Sequence, residues 1–167
     1  TIVYRASPFA EPVTLYATSA VTDTAQANWN VGVSGLSALA PTAHLDTIGE
    51  IPPHPHSHYG LPTLISQLYN TADAVYAKYN TTLKVNDMSL QMGGQFDLAY
   101  SAWRSDTSHI EHRAGRSADI RTTGGPGNGL ITPKERSFAR SHWDSFPNSM
   151  VIVEGDHYHF RYWGSTP

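Results

Sequence analysis

Met150-Val151-Ile152-Val153-Glu154-Gly155-Asp156-His157-Tyr158-His159-Phe160-Arg161-Tyr162-Trp163 contains two β-like runs, Met150–Glu154 and His157–Trp163, separated by Gly155-Asp156. Such a spacing predicts a two-residue hairpin, although Asn-Gly or Asp-Gly is the more usual order. In that register Glu154 stands opposite His157, and Ile152 opposite His159. Side chains alternate along a strand, so Glu154, His157 and His159 share one face. A carboxylate and two imidazoles on one face are the parts of a hydrolytic zinc site.

A second motif lies some forty residues upstream, in His112-Arg113-Ala114-Gly115-Arg116-Ser117-Ala118-Asp119. A straight strand would hold His112 and Asp119 roughly 23 Å apart. Zinc ligand atoms sit about 2 Å from the metal. For both residues to reach one ion the chain must turn between them, and Gly115 is where it turns at least steric cost. Ser117–Arg121 then reads as a strand.

Working outward, Leu61, Leu64, Ile65, Leu68, Ala72, Val75, Tyr76 and Tyr79 recur at helical spacing, which predicts a helix over Thr63–Tyr79. Thr132-Pro133-Lys134-Glu135 resembles an N-cap with Pro at the first helical position, opening a second helix to Trp143 or Asp144. Pro12–Ala17, Trp29–Val33, Leu83–Asn86 and Phe96–Trp103 read as strands, and Gly93-Gly94 as a turn. Ala38–Pro62 carries five prolines and reads as a long loop. The expected fold class is α+β: a small antiparallel sheet carries the site, with flanking helices. Residues 1–60 form an extended or β arm with a Pro-rich loop, and 61–167 the body of a single domain.

Composition narrows the function. The 167 residues are one domain in length. Cysteine is absent, which excludes disulfides, thiolate catalysis and cysteine-based zinc fingers. A net charge of −3 argues against nucleic-acid binding. No apolar run approaches the roughly 18 residues of a membrane span. There is no phosphate-binding loop and no Gly-x-Ser-x-Gly. Histidine is the outlier, nine in all, and imidazole is both the commonest metal ligand and the usual acid–base group near neutral pH. His54, His56 and His58 could hold a second metal, but their prolines and loop setting fit better with a rim of the cleft or no role. His44 and His142 read as structural. The chain begins at Thr1, as a processed piece would, and any signal peptide would then lie outside it.

His112-x-x-Gly115-x-x-x-Asp119 followed by His157-x-His159 resembles the zinc site of the LAS group of metallopeptidases. That group includes the D-alanyl-D-alanine carboxypeptidases and dipeptidases and the penicillin-insensitive murein endopeptidases, and the hedgehog signalling domain shares its fold. The resemblance covers about Leu83 to Gly164. Gly115-Arg116-Ser117-Ala118-Asp119-Ile120 is similar to the hedgehog form, His159-Phe160-Arg161-Tyr162 to the carboxypeptidase form, and Ser108-His109-Ile110-Glu111-His112 to the endopeptidase form. It implies His112, Asp119 and His159 as ligands of Zn²⁺, with a fourth position open for water. It implies Glu154 or Asp156 as general base, Glu154 being favoured because a turn-tip Asp faces away in a regular hairpin. His157 and His109 would stabilise the oxyanion or orient substrate, and Arg104 and Arg116 would grip a substrate carboxylate. The implied function is hydrolysis of peptidoglycan peptides containing D-amino acids, by a secreted, periplasmic or cell-surface enzyme. The alternatives are a hedgehog-like zinc-containing binding module without hydrolytic activity and, from the Tyr and Trp content alone, a carbohydrate- or wall-binding domain with a structural zinc.

Overall fold

The computed structural model describes residues 11–17, 24–50, 56–94, 111–124 and 129–164. The strands are β1 (Glu11–Ala17), β2 (Ala25–Val31), β3 (Ser37–Ala38), β4 (Leu45–Thr47), β5 (Tyr59–Gly60), β6 (Leu83–Val85), β7 (Ser117–Arg121), β8 (Ser149–Val153) and β9 (His157–Tyr162). Among the described residues two α-helices, α1 (Pro62–Tyr79) and α2 (Pro133–Trp143), complete an α+β fold. Among the described residues five strands form the central sheet, in the order β4-β6-β7-β9-β8. β1 pairs with β2, and β3 with β5, in two separate ladders. No helix among the described residues is long and apolar enough to cross a membrane.

The antiparallel expectation needs one correction. β4 and β6 pair in parallel, Leu45 opposite Leu83 and Thr47 opposite Val85, while the other pairs of the central sheet are antiparallel. The physical reason is the connection. The chain leaves β4, runs through α1 and returns to β6, and a crossover with a helix is what a parallel pair requires. The loop expectation for Ala38–Pro62 is corrected as well, since β4, β5 and the end of β3 lie in it. These strands of two and three residues are too short to carry a readable period. Leu39 and Leu45 are buried in the same core as the helices. The expected strand Phe96–Trp103 lies outside the described residues.

Helix α1 follows from its apolar spacing. Leu64, Ile65, Leu68, Ala72 and Val75 are buried along one side, and the helix ends at Asn80 in the left-handed conformation. Helix α2 opens with a capping box. Thr132 Oγ1 accepts from the Glu135 backbone N–H at 3.2 Å, and Glu135 Oε2 accepts from the Thr132 N–H at 2.6 Å. Thr81, just past α1, donates to the other Glu135 oxygen at 2.6 Å, so one carboxylate ties the start of α2 to the end of α1.

The central sheet has two unlike faces. Ala118, Ile120, Val151 and Phe160 pack into the core with Leu64, Leu68 and Trp143 of the helices. Trp143 stacks against Phe160 with ring centroids 4.5 Å apart and donates its indole N–H to the Arg161 carbonyl at 3.1 Å. Helix α2 thereby fixes β9 in position. The alternate residues, Ser117, Asp119 and Arg121 on β7 and His157, His159 and Arg161 on β9, occupy the opposite face.

The capping box makes a testable prediction. Thr132→Ala is expected to cost about 1 kcal/mol in urea unfolding. Burial works against the Glu135 charge, but its hydrogen bonds with Thr81 and Thr132 outweigh that and hold the carboxyl below its usual value of 4.5. Ionised Glu135 therefore stabilises the fold above that pH, and the contribution is lost as the pH falls through the lowered value. The difference in thermal stability between wild type and Glu135→Gln should narrow on acidification below pH 4.5.

Candidate metal centre

Three elements bring the site residues together. His112 opens a short 3₁₀ turn, His112–Ala114, which Gly115 ends at φ 65° with its N–H bonded to the His112 carbonyl at 2.9 Å. Strand β7 starts two residues later. The turn expected at Gly115 is thus present. A Cβ there would meet the Leu36 side chain and lie 3.2 Å from the Gly60 Cα, so both conformation and space demand glycine. The Gly115 carbonyl accepts from the Leu61 N–H at 2.9 Å, which fastens the turn to the start of α1.

Asp119 lies in the middle of β7, directly opposite His159 of β9. The β8–β9 hairpin has the expected register: Ile152 faces His159, and the Glu154 N–H donates to the His157 carbonyl at 3.1 Å. Asp119 Oδ1 is 2.7 Å from His159 Nδ1 and 3.3 Å from His112 Nε2. The two imidazole rings meet edge-on, 4.9 Å apart. The donor atoms of His112, Asp119 and His159 all lie within 4.8 Å of one another, and all three residues are buried. Tetrahedral zinc with ligand bonds of 2.0–2.2 Å spaces its donors about 3.3 Å apart. The N, N, O set therefore suits such an ion in both chemistry and spacing.

A second group continues the first toward solvent. Glu154, His157 and His159 also offer donor atoms within 4.8 Å of one another. His157 Nε2 is 3.0 Å from Glu154 Oε2 and 3.5 Å from Asp119 Oδ2. Its Nδ1 is 2.7 Å from Asp156 Oδ1. Side-chain exposure rises from 4% at Asp119 through 25% at His157 to 45% at Glu154 and 78% at Asp156. The metal-type donors form the floor, and Glu154 and His157 form the wall above them. Asp156 stands at the tip, against the far nitrogen of His157.

Electrostatics match this layering. Burial works against the Asp119 charge, but hydrogen bonds from His112 and His159 outweigh it and hold the carboxyl well below the usual range. Asp87, also buried, is pushed up by desolvation first and by the Asp119 charge second. Asp156 is lowered chiefly by its hydrogen bond with His157.

Three residues near the site escape sequence reasoning. Asp87 arrives through a bulge: Asn86 N–H donates to the Asp119 carbonyl at 2.7 Å, and Asp119 N–H donates to the Asp87 carbonyl at 2.8 Å, so two residues face one. Glu111 comes within 3.1 Å of His159 Nε2 and also pairs with Arg161. Arg121 shares the Asp119 face and is the cross-strand neighbour of His157. Arg116, a sequence candidate, lies opposite Tyr162 in the continued ladder, since its carbonyl accepts from the Tyr162 N–H at 2.8 Å. Its position alternates with that of Asp119 rather than sharing it. His109, Arg104 and His54 lie outside the described residues. His58 is buried with its nitrogens 3.1 Å from Glu50 Oε1 and 3.1 Å from the Ile48 carbonyl, so both are engaged by the protein. His44 is 2.7 Å from Asp73 Oδ1 and stacks on Tyr76, and His142 packs between Phe138 and Phe146.

No protein-family model matches the chain, and no curated protein matches it.

Gly115→Ala should damage fold and site together. The left-handed backbone alone costs a residue with a Cβ about 1–2 kcal/mol, and the clash at Leu36 adds to it. Urea unfolding is expected to show the loss. Imidazole resonances in NMR spectra should show His112 displaced more than His58, which is held by other segments.

Proposed function

We propose that this chain is a zinc-dependent peptidase that hydrolyses cell-wall peptides containing D-amino acids. The observation that carries the reading is the meeting of buried His112, Asp119 and His159, with Glu154 and His157 beside them on the open side. The substrate class rests on the likeness of the His112–Asp119 and His157–His159 motifs to those of the LAS group. That likeness also implies work outside the cytoplasm, where such peptides occur.

A zinc ion held by His112, Asp119 and His159 would polarise a scissile carbonyl and lower the pKa of water toward 7. The protein's own groups do the rest. Glu154 takes the proton of the attacking water and later delivers it to the leaving amine. His157, 3.0 Å from Glu154, donates to the oxygen that gains negative charge. Asp156, hydrogen-bonded to the other nitrogen of His157, keeps that ring oriented.

Metal analysis tests the first part. Purified protein is expected to hold about one zinc per chain, as a single N, N, O site provides. His112→Ala and His159→Ala should each abolish tight binding, and stoichiometric zinc in both variants would overturn the assignment.

Digestion of muropeptides with mass detection tests the second part. Glu154→Gln should lose on the order of 10²–10⁴-fold in turnover with zinc content unchanged. Asp156→Asn, at the hairpin tip, should lose much less. The reverse pattern would move the base to Asp156. A zinc-loaded wild type that cleaves no D-amino-acid-containing peptide would leave the zinc-containing binding module as the better account.

A further inference from the structure

The geometry around His159 assigns a role to a residue outside the ligand set: we propose that Glu111 is a positioning residue that presents Nδ1 of His159 to the metal. The inference rests on the metal site proposed above. The two nitrogens of His159 face different carboxylates. Nδ1 is 2.7 Å from Asp119 Oδ1, and Nε2 is 3.1 Å from Glu111 Oε2. A ligating imidazole is neutral, so one nitrogen carries the lone pair for the metal and the other carries the proton. Asp119 belongs to the cluster of donor atoms that His112 joins, and Glu111 does not. With a metal in place of the proton that Nδ1 shares with Asp119, the remaining ring proton lies on Nε2, donated to Glu111, and the Nδ1 lone pair points at the shared centre. A carboxylate behind a metal-bound histidine fixes both its tautomer and its ring angle.

Glu111 is itself held. Its second oxygen pairs with Arg161, two residues beyond His159 on the same face of β9. The Arg161 guanidinium in turn lies 5.8 Å from the Trp163 ring centre. Glu111 immediately precedes His112, so one turn of chain supplies the first histidine ligand and the carboxylate that orients the second. The 3₁₀ turn and β9 are thereby coupled through the site.

The competing account is a structural ion pair between Glu111 and Arg161 with no bearing on the ring. Two measurements on the full chain separate them, and neither needs turnover, so they decide the role of Glu111 even in a chain that binds zinc without cutting peptide. The first is the His159 ring tautomer in zinc-loaded protein, by ¹⁵N NMR, where a ligating imidazole is neutral. The second is zinc affinity by chelator competition. Wild type should show the Nε2–H form. Glu111→Ala should mix the tautomers and weaken zinc binding by about 10–100-fold. Glu111→Gln still offers an amide oxygen to Nε2–H, so it should keep the tautomer and recover most of the affinity. Arg161→Ala leaves the Glu111 acceptor in place and should keep the tautomer, with a smaller loss of affinity. Three results would overturn the proposal: an Nδ1–H tautomer in wild type, Glu111→Ala with unchanged tautomer and affinity, or Arg161→Ala reproducing the full loss of Glu111→Ala.

Discussion

The pairing of Asp119 with His159 across β7 and β9 is the constraint on which the rest of the site depends. Strand side chains alternate with a period of two, so a slip of one residue would send His159 into the core and Phe160 into the site. Several features oppose that slip. Phe160 is packed under Trp143, whose indole N–H holds the β9 backbone. Ala118 and Ile120 lie in the same core from β7. Apolar burial on one face of the sheet thereby fixes polar geometry on the other. Burial of such side chains stabilises by roughly 1.5–3 kcal/mol each, as much as a hydrogen bond to a charged group in the site supplies, and several act together.

Holding Asp119 as a buried anion carries a large desolvation cost, which is tolerable only with close partners. His112 and His159 are those partners, and their hydrogen bonds outweigh the burial that opposes the charge. Asp87 has weaker compensation and sits near the same charge, so its carboxyl is pushed upward. The site thus holds two neighbouring acids displaced in opposite directions, set by environment rather than by residue type. The same low-dielectric surroundings strengthen any cation bound among the donors.

The site is also layered in accessibility. The buried floor of His112, Asp119 and His159 suits groups that must stay in one place. Glu154 and His157 stand where the hairpin opens to solvent, which suits groups that meet a substrate and exchange protons with water. One strand supplies both levels, because His157 and His159 are successive residues on one face of β9. The tight hairpin then places Glu154 beside them with no further chain.

Much of this was legible in the residues. Periodicity located both helices, because α1 buries a regular apolar stripe, and Thr132-Pro133 announced α2. Gly155-Asp156 gave the hairpin register, and Gly115 the turn, because tight backbone geometry leaves local residue signals. The trio His112, Asp119 and His159, which the fold brings together, was legible from spacing and from likeness to a known motif. Other features had no local signal. β4 is three residues long, and its parallel partner lies beyond a whole helix. Asp87 reaches the site through a bulge, and Glu111 through a contact 48 residues distant. The sequence alone therefore determined both helices, the hairpin, the Gly115 turn and the candidate residues, since period, turn chemistry and residue type act over a few neighbours. Only the tertiary structure decided which faces met and which nitrogen of His159 met which carboxylate, because those contacts exist only once the core has set the strand register.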